Sequence, residues 1–319
     1  MKERTMKSPR EMPGGCRWQD PKGGVEGQRN SLRASRVATL FSIQKKTDQV
    51  PVVLTEKQKN EIASLTRRKN RELHDAFLVE GFRSVDAALA SGAPVNFLIS
   101  TGATSSAERE GLAESLGGVA VTLKDKEMAK ISDVQNSQGI LLVVSRPLSD
   151  AIALLGQQRI LVLDGIQDPG NVGTLLRTAA WFGVDGVLAG PKTADFFNPK
   201  VVRASMGGIW DVKLARTDDL AKWFLASTEK NTSIYAADLN GVAVDEWTPT
   251  FPSVLIIGSE AHGISEDLEP FLSERIHVPS RAQARADQSD VPPIQRATES
   301  LNAAVAGALV ISNWVRQSG

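Results

Sequence analysis

Residues 160–188, ILVLDGIQDPGNVGTLLRTAAWFGVDGVL, decide the fold. Four apolar residues and an Asp, Ile160–Asp164, suit a strand buried on both faces. Gly165–Gly170 follows with glycines and a proline, so no regular element crosses it. Asn171 then reads as the N-cap of a helix from Val172 to Phe182, and Gly183 fits the position just past its end. Val184–Leu188 reads as a second strand. Strand, loop, helix and strand form a βαβ unit whose first loop turns backbone N–H groups toward a ligand.

The helix has two faces. Val172, Leu175, Leu176, Ala179, Ala180 and Phe182 share one arc and pack on the sheet. Gly173, Thr174, Arg177, Thr178 and Trp181 share the other. A lone helical arginine is usually solvated, but Trp181, four residues on, is costly to leave in water, so a cover over this face is expected. The loop is no familiar nucleotide cradle. It lacks the Gly-x-x-x-x-Gly-Lys-Ser/Thr of a P-loop and the glycine spacing of a dinucleotide fold. By pattern it is a ligand-binding turn of open ligand.

The rest of the chain bounds the class. Its 319 residues suit two domains; 41% hydrophobic and 23% charged residues are ordinary for a globular protein. No apolar run reaches the roughly 20 residues that span a bilayer, so no membrane partner is expected. Cys16 is the sole cysteine and His74, His262 and His277 are far apart, which excludes a disulfide framework and gives no metal site. Net charge is zero, so any nucleic-acid contact rests on local patches. Residues 1–50 read as a poorly ordered extension. Glu3, Glu11, Asp20 and Glu26 weigh against an organellar transit peptide, which leaves a cytoplasmic location as the expectation and organellar targeting as the minor alternative.

Residues 51–147 read as a small α/β domain. The order is a helix Glu56–Leu65, strand Phe77–Glu80, helix Arg83–Ala90, strand Val95–Ser100, helix Ala107–Leu116, strand Val119–Leu123, helical turn Lys126–Ile131 and strand Ile140–Ser145. The basic run Arg67, Arg68, Lys69 and Arg71 is a solvated surface or a set of phosphate contacts. Residues 148–158 read as a linker. The second domain, 159–319, continues with a helix Pro199–Met206 carrying Arg203, a strand Val212–Leu214 and a helix Leu220–Ser227. Strands Ser233–Ala237, Val254–Gly258 and Arg275–His277 follow, and a last helix spans Leu301–Trp314. This alternation predicts a mostly parallel sheet with helices on both faces. Gly258–Gly263, His277–Pro279 and Glu299–Asn302 lie at strand ends or helix starts, where ligands of parallel sheets bind. Glu260 alone would read as a helix-cap carboxylate; with the other loops it suits a shared pocket.

These residues resemble a known family. DGIQDPGNVGTLLRTA, NPKVVRASMGG, LIIGSEAHGIS and IHVPS followed by ESLNAAVAGAL are similar, in order, to the motifs of the SpoU (TrmH-like) branch of the SPOUT RNA methyltransferases. FLVEGFRSVDAALA, residues 77–90, with Gln138-Gly139-Ile140, resembles the family's N-terminal substrate-binding domain, itself similar to kink-turn-binding ribosomal proteins. The resemblance implies transfer of a methyl group from S-adenosylmethionine to a ribose 2′-hydroxyl of RNA, a deep trefoil knot in the C-terminal half, and a homodimer with its interface near the active site. It assigns Asn171, Arg177, Glu260, Ser300 and Asn302 to the catalytic positions, and Gly258, Val278 and Leu301 to the cofactor. Ser259 stands where many members have Asn; a hydroxyl still donates and accepts.

Family proposals make the matching arginine a base. A guanidinium rarely gives up its proton in a protein, so Arg177 is expected instead to grip a phosphate and orient the hydroxyl. Residues 280–298 depart from the family's short loop and read as a flexible insertion that closes over the site or weakens it. Large-subunit ribosomal RNA is the expected substrate, from the N-terminal domain. A tRNA methyltransferase and a catalytically silent RNA-binding assembly factor are the alternatives; retention of Asn171, Arg177, Glu260 and Asn302 counts against the silent factor. A nicotinamide oxidoreductase fails on glycine spacing.

Overall fold

The computed structural model describes residues 53–280 and 300–317. The 1–50 extension and, beyond Ser280, the 280–298 insertion lie outside the described residues. The chain opens with α1, Glu56–Ser64, whose capping box pairs Thr55 with Gln58: each backbone N–H is taken by the other's side-chain oxygen, at 2.9 and 3.3 Å. Then come α2 (Arg68–His74), β1 (Ala76–Glu80), α3 (Phe82–Ala90), β2 (Val95–Thr101), α4 (Ala107–Ser115), β3 (Val119–Leu123), α5 (Asp125–Ile131) and β4 (Ile140–Ser145). The four strands form a mixed sheet in the order β1-β4-β2-β3, antiparallel except for β2 with β3. Each expected element of this domain is present, with ends moved by a residue or so. α2, absent from the sequence reading, forms within the basic run.

The second sheet starts earlier than expected. β5, Leu148–Ser149, pairs in parallel with β8 at the sheet edge, and a 3-10 turn, Ala151–Leu154, buries Leu154 against Gly186. The expected linker 148–158 therefore begins as an edge strand of this sheet and continues as a packed turn, held by an Nε1–H bond from Trp223 to the Ala151 carbonyl (2.8 Å). After it come β6 (Arg159–Asp164), α6 (Pro169–Trp181), β7 (Gly186–Ala189), α7 (Pro199–Ser205), β8 (Lys213–Arg216), α8 (Leu220–Thr228), β9 (Ser233–Ala243), β10 (Ser253–Gly258), β11 (Glu274–His277) and α9 (Ala303–Arg316). The order is β11-β9-β10-β6-β7-β8-β5, and every neighbouring pair is parallel.

Burial alternates along the central strands, as a sheet covered on both sides requires. Leu161, Leu163, Leu255 and Ile257 pack with Leu175, Leu176 and Val310 on the face covered by α6 and α9. Ile160, Val162, Val254 and Ile256 pack with Leu220, Trp223 and Phe224 on the face covered by α8. Gly307 lets α9 cross α6 closely: a Cβ there would stand 2.6 Å from Leu175 Cδ2. Among the described residues no helix is long and apolar enough to cross a membrane.

Two details of the opening stretch are corrected. α6 starts at Pro169, not Val172, and its N-cap is Asp168, whose Oδ1 accepts the Asn171 N–H at 2.8 Å. Proline suits this place because the first helical residue needs no N–H and its φ is already helical. Gly173, assigned to the outer face, is buried against α7, where a Cβ would meet Ala204 Cβ at 2.4 Å and the Val201 carbonyl at 2.8 Å.

Candidate active site

The corrected start of α6 frees Asn171. An N-cap asparagine spends its Oδ1 on its own helix; in the first turn, Asn171 keeps both amide atoms for other partners. Its Nδ2 donates to Glu260 Oε1 (3.0 Å), and its Oδ1 accepts from Asn302 Nδ2 (2.9 Å). Asn302 Nδ2 also reaches Glu260 Oε1 (3.0 Å), which takes the Ala303 N–H as well (2.9 Å). Asn302 is meanwhile the N-cap of α9, its Oδ1 accepting from the Ala304 and Val305 N–H groups. Three distant segments thus meet at one carboxylate oxygen, and the two amides are held in defined orientations.

Glu260 is placed by a tight loop. The Ser259 and Gly263 backbones exchange two hydrogen bonds, at 2.9 and 2.8 Å. Gly258 must be glycine, since a Cβ would stand 2.4 Å from the Gly263 carbonyl carbon and oxygen. Beneath, buried Asp164 at the end of β6 accepts the Ser265 N–H (2.7 Å) and hydroxyl (3.1 Å). Thr193 accepts the Gly165 N–H (3.0 Å) and donates to the Leu163 carbonyl (2.8 Å). Sequence reasoning missed both. Asp164 had a signal, a carboxylate ending an apolar strand; Thr193 had none.

Arg177 is not brought to the cluster within the chain. It lies six residues along α6 from Asn171, about 9 Å along the helix axis. It is exposed, with no hydrogen bond or ion pair among the described residues. Trp181 beside it is 84% exposed. Val305 and Leu309 on α9, the helix packed against α6, are also exposed. Ser300 is exposed two residues before Asn302.

Residues 158–312 match the SpoU rRNA methylase family, and residues 57–142 match an MRM3-like substrate-binding domain. A solved TrmH-family structure from Porphyromonas gingivalis is 30% identical, with a TM-score of 0.67 over 83% of this chain and 100% of its own. This chain belongs to the SpoU (TrmH) family. Among the methylase's other relatives, the 23S rRNA (guanosine(2553)-2'-O)-methyltransferase RlmP of Bacillus subtilis is 28% identical over 77% of this chain and 91% of its own length. An AdoMet-bound rRNA methyltransferase structure from Sinorhizobium meliloti is 25% identical, with a TM-score of 0.68 over 84% of this chain and 97% of its own.

The three positions expected to meet the cofactor of this SpoU methylase lie at the ends of elements. Gly258 ends β10, Val278 follows β11, and Leu301 precedes Asn302. Leu301 is 45% exposed beside a fixed polar cluster, a bare apolar side chain suited to a flat adenine ring. A cavity of about 390 Å³ shares the Ser259–Gly263 loop but is lined by Gly165, Lys192, Asp218 and His262. Gly258, Val278 and Leu301 do not line it.

The expected RNA contacts divide. Arg67, Arg68 and Lys69 are exposed, with Arg68 paired to Glu72 at 2.7 Å. Arg203 is half-buried and paired with Asp133 (3.3 Å). Arg71 is corrected outright: it is 2% exposed and held by Asp195 at 2.7 Å, so it cannot meet a phosphate. Arg216, at the end of β8, has its guanidinium pushed below the usual arginine range by burial first and then by the Arg68 cation.

Proposed function

We propose that this chain transfers the methyl group of S-adenosylmethionine to a ribose 2′-hydroxyl of RNA, in large-subunit ribosomal RNA. The carrying observation is the joining of Asn171, Glu260 and Asn302 at the carboxyl ends of parallel strands. Family membership, the substrate-binding domain and relatives such as RlmP support ribosomal over transfer RNA. The reading carries with it the family's trefoil knot in the C-terminal half, the likeness of the N-terminal domain to kink-turn-binding proteins, and a cytoplasmic site of action.

Gly258, Val278 and Leu301 would hold the cofactor, the first two through backbone groups. Bound there, it supplies an electrophilic methyl group on a sulfonium, leaving S-adenosylhomocysteine once the ribose oxygen has taken it. Glu260 anchors the two amides, since its Oε1 holds three N–H donors. Asn171 and Asn302 then orient the incoming ribose, with Ser300 beside them. Arg177 grips the adjacent phosphate through two N–H groups and aligns the hydroxyl, whose proton passes to water. Positioning of this kind lowers a barrier by several kcal/mol.

Arg177 needs a second chain to do this. The exposed band of Arg177, Trp181, Val305 and Leu309 supports a two-fold dimer in which the arginine of one protomer serves the cluster of the other. The test is ribose-methylation mapping of ribosomal RNA incubated with the purified chain and S-adenosylmethionine. One newly methylated ribose is the expected result. Tight RNA binding with no methyl transfer would instead identify a silent assembly factor.

A further inference from the structure

The seam between the two domains contains little that could act as a hinge. β4 ends at Ser145 and β5 begins at Leu148, so the whole connection is Arg146-Pro147, which keeps the domains side by side. Arg146 is itself fixed: its guanidinium donates twice to Asp75 (3.0 and 2.8 Å) and sits 5.7 Å over the Phe197 ring. Phe77 from β1 packs between the rings of Phe197 (4.8 Å) and Trp210 (5.8 Å), in one continuous hydrophobic core.

Arg71 closes the seam. Its Nε and Nη2 hold Asp195 Oδ2 at 2.8 and 2.7 Å, while Nη1 donates to the Leu65 and Thr66 carbonyls at 2.9 and 2.8 Å. One side chain thus ties the end of α1 to the loop that leads into α7. From there α7 reaches the chemistry. On one side it carries Arg203, paired with Asp133 of the first domain; on another, Val201 and Ala204 close on Gly173, two residues past Asn171.

We propose that the two domains of one chain form a rigid ruler for RNA, with Arg71 the positioning residue whose bond to Asp195 fixes which ribose reaches Asn171. The inference rests on the proposed methyl transfer. RNA gripped by Arg67 and Lys69 at the start of α2 would meet the cluster at a constant separation. Target choice then comes from that separation as well as from base contacts.

The test uses the full chain with Asp195→Asn, which keeps an acceptor for Arg71 but removes the charge, and Arg71→Lys as a second variant. Spin labels at Ser115→Cys and Lys230→Cys, with Cys16→Ser and an excess of unlabelled chain, report the interdomain distance. A narrow distribution is expected for the parent and a broad one for the variants. On a large-subunit ribosomal RNA transcript, kcat should fall on the order of 10–100-fold with KM for RNA unchanged, because the grip is intact while alignment is lost. Methylation should also spread to neighbouring riboses. A broad distribution in the parent overturns the ruler. So do variants that, folded and loosened, still methylate one ribose at the parental rate. A parent that methylates no RNA sinks the proposed reaction instead, and the rigid seam is then decided by the distances alone.

Discussion

Arg71 and Arg177 are the same residue in opposite circumstances. Arg71 is buried at the domain seam, and Asp195 and two carbonyls together engage all three of its guanidinium nitrogens. Arg177 stands exposed on α6, with no partner among the described residues. Burying a guanidinium costs several kcal/mol unless it is paired and hydrogen-bonded, so a buried arginine with every nitrogen engaged is a structural one. A guanidinium left unmatched beside an exposed tryptophan is available to a ligand or a second chain. Surroundings, not residue type, separate the two roles.

The largest effect that would break this contrast is on catalysis. Arg177→Ala should lower methyl transfer on the order of 10³-fold, with cofactor binding by calorimetry and the melting temperature unchanged. Arg177→Lys bears on how the residue works: full activity at raised pH would sink the two-pronged phosphate grip, because an ammonium cannot reproduce it. Co-expression of Arg177→Ala with Glu260→Ala chains asks which site Arg177 serves. If it acts across the dimer, mixed dimers hold one intact site and activity returns to about a quarter. No recovery would place Arg177 in its own chain's site.

Arg71→Ala, unlike Arg177→Ala, should also cost stability. Breaking a buried pair from one side costs about 3–5 kcal/mol, since Asp195 is left without its cation. Urea unfolding should show that loss. Unchanged stability would mean that the seam does not depend on the pair. Trp181→Asp should leave the protomer folded, by circular dichroism, while sedimentation shows monomers in place of dimers. Dimers that survive the charge would move the interface elsewhere.

Part of this was legible in the sequence. The parallel sheet, covered on both faces, follows from apolar runs alternating with amphipathic helices, and Asn171, Glu260 and Asn302 sat on strand-end or helix-start loops where ligands bind. Three features were not legible. Arg71 lay in a basic run that reads the same whether solvated or buried, because its partner Asp195 is 124 residues away. β5 is two residues long, too short to show a period, and exists only because β8 offers it an edge. The start of α6 was misplaced because Asp168 and Asn171 are both good caps, and the decision lay with Pro169 between them.

That last ambiguity yields the smallest prediction. Asp168 Oδ1 holds the Asn171 N–H at 2.8 Å, so Asp168→Ala removes one cap bond, worth about 1 kcal/mol of stability. Its effect on catalysis should exceed that small loss. The bond fixes the backbone of Asn171 while the Asn171 side chain is held by Glu260 and Asn302, and fraying of the first turn would loosen both ends. A fall in kcat of roughly tenfold is expected, with KM for RNA nearly constant, because the remaining RNA contacts lie elsewhere. Asp168→Asn or Asp168→Ser, which can still accept that N–H, should restore both quantities. A change in KM alone would show that Asp168 contacts RNA directly and that the cap is incidental.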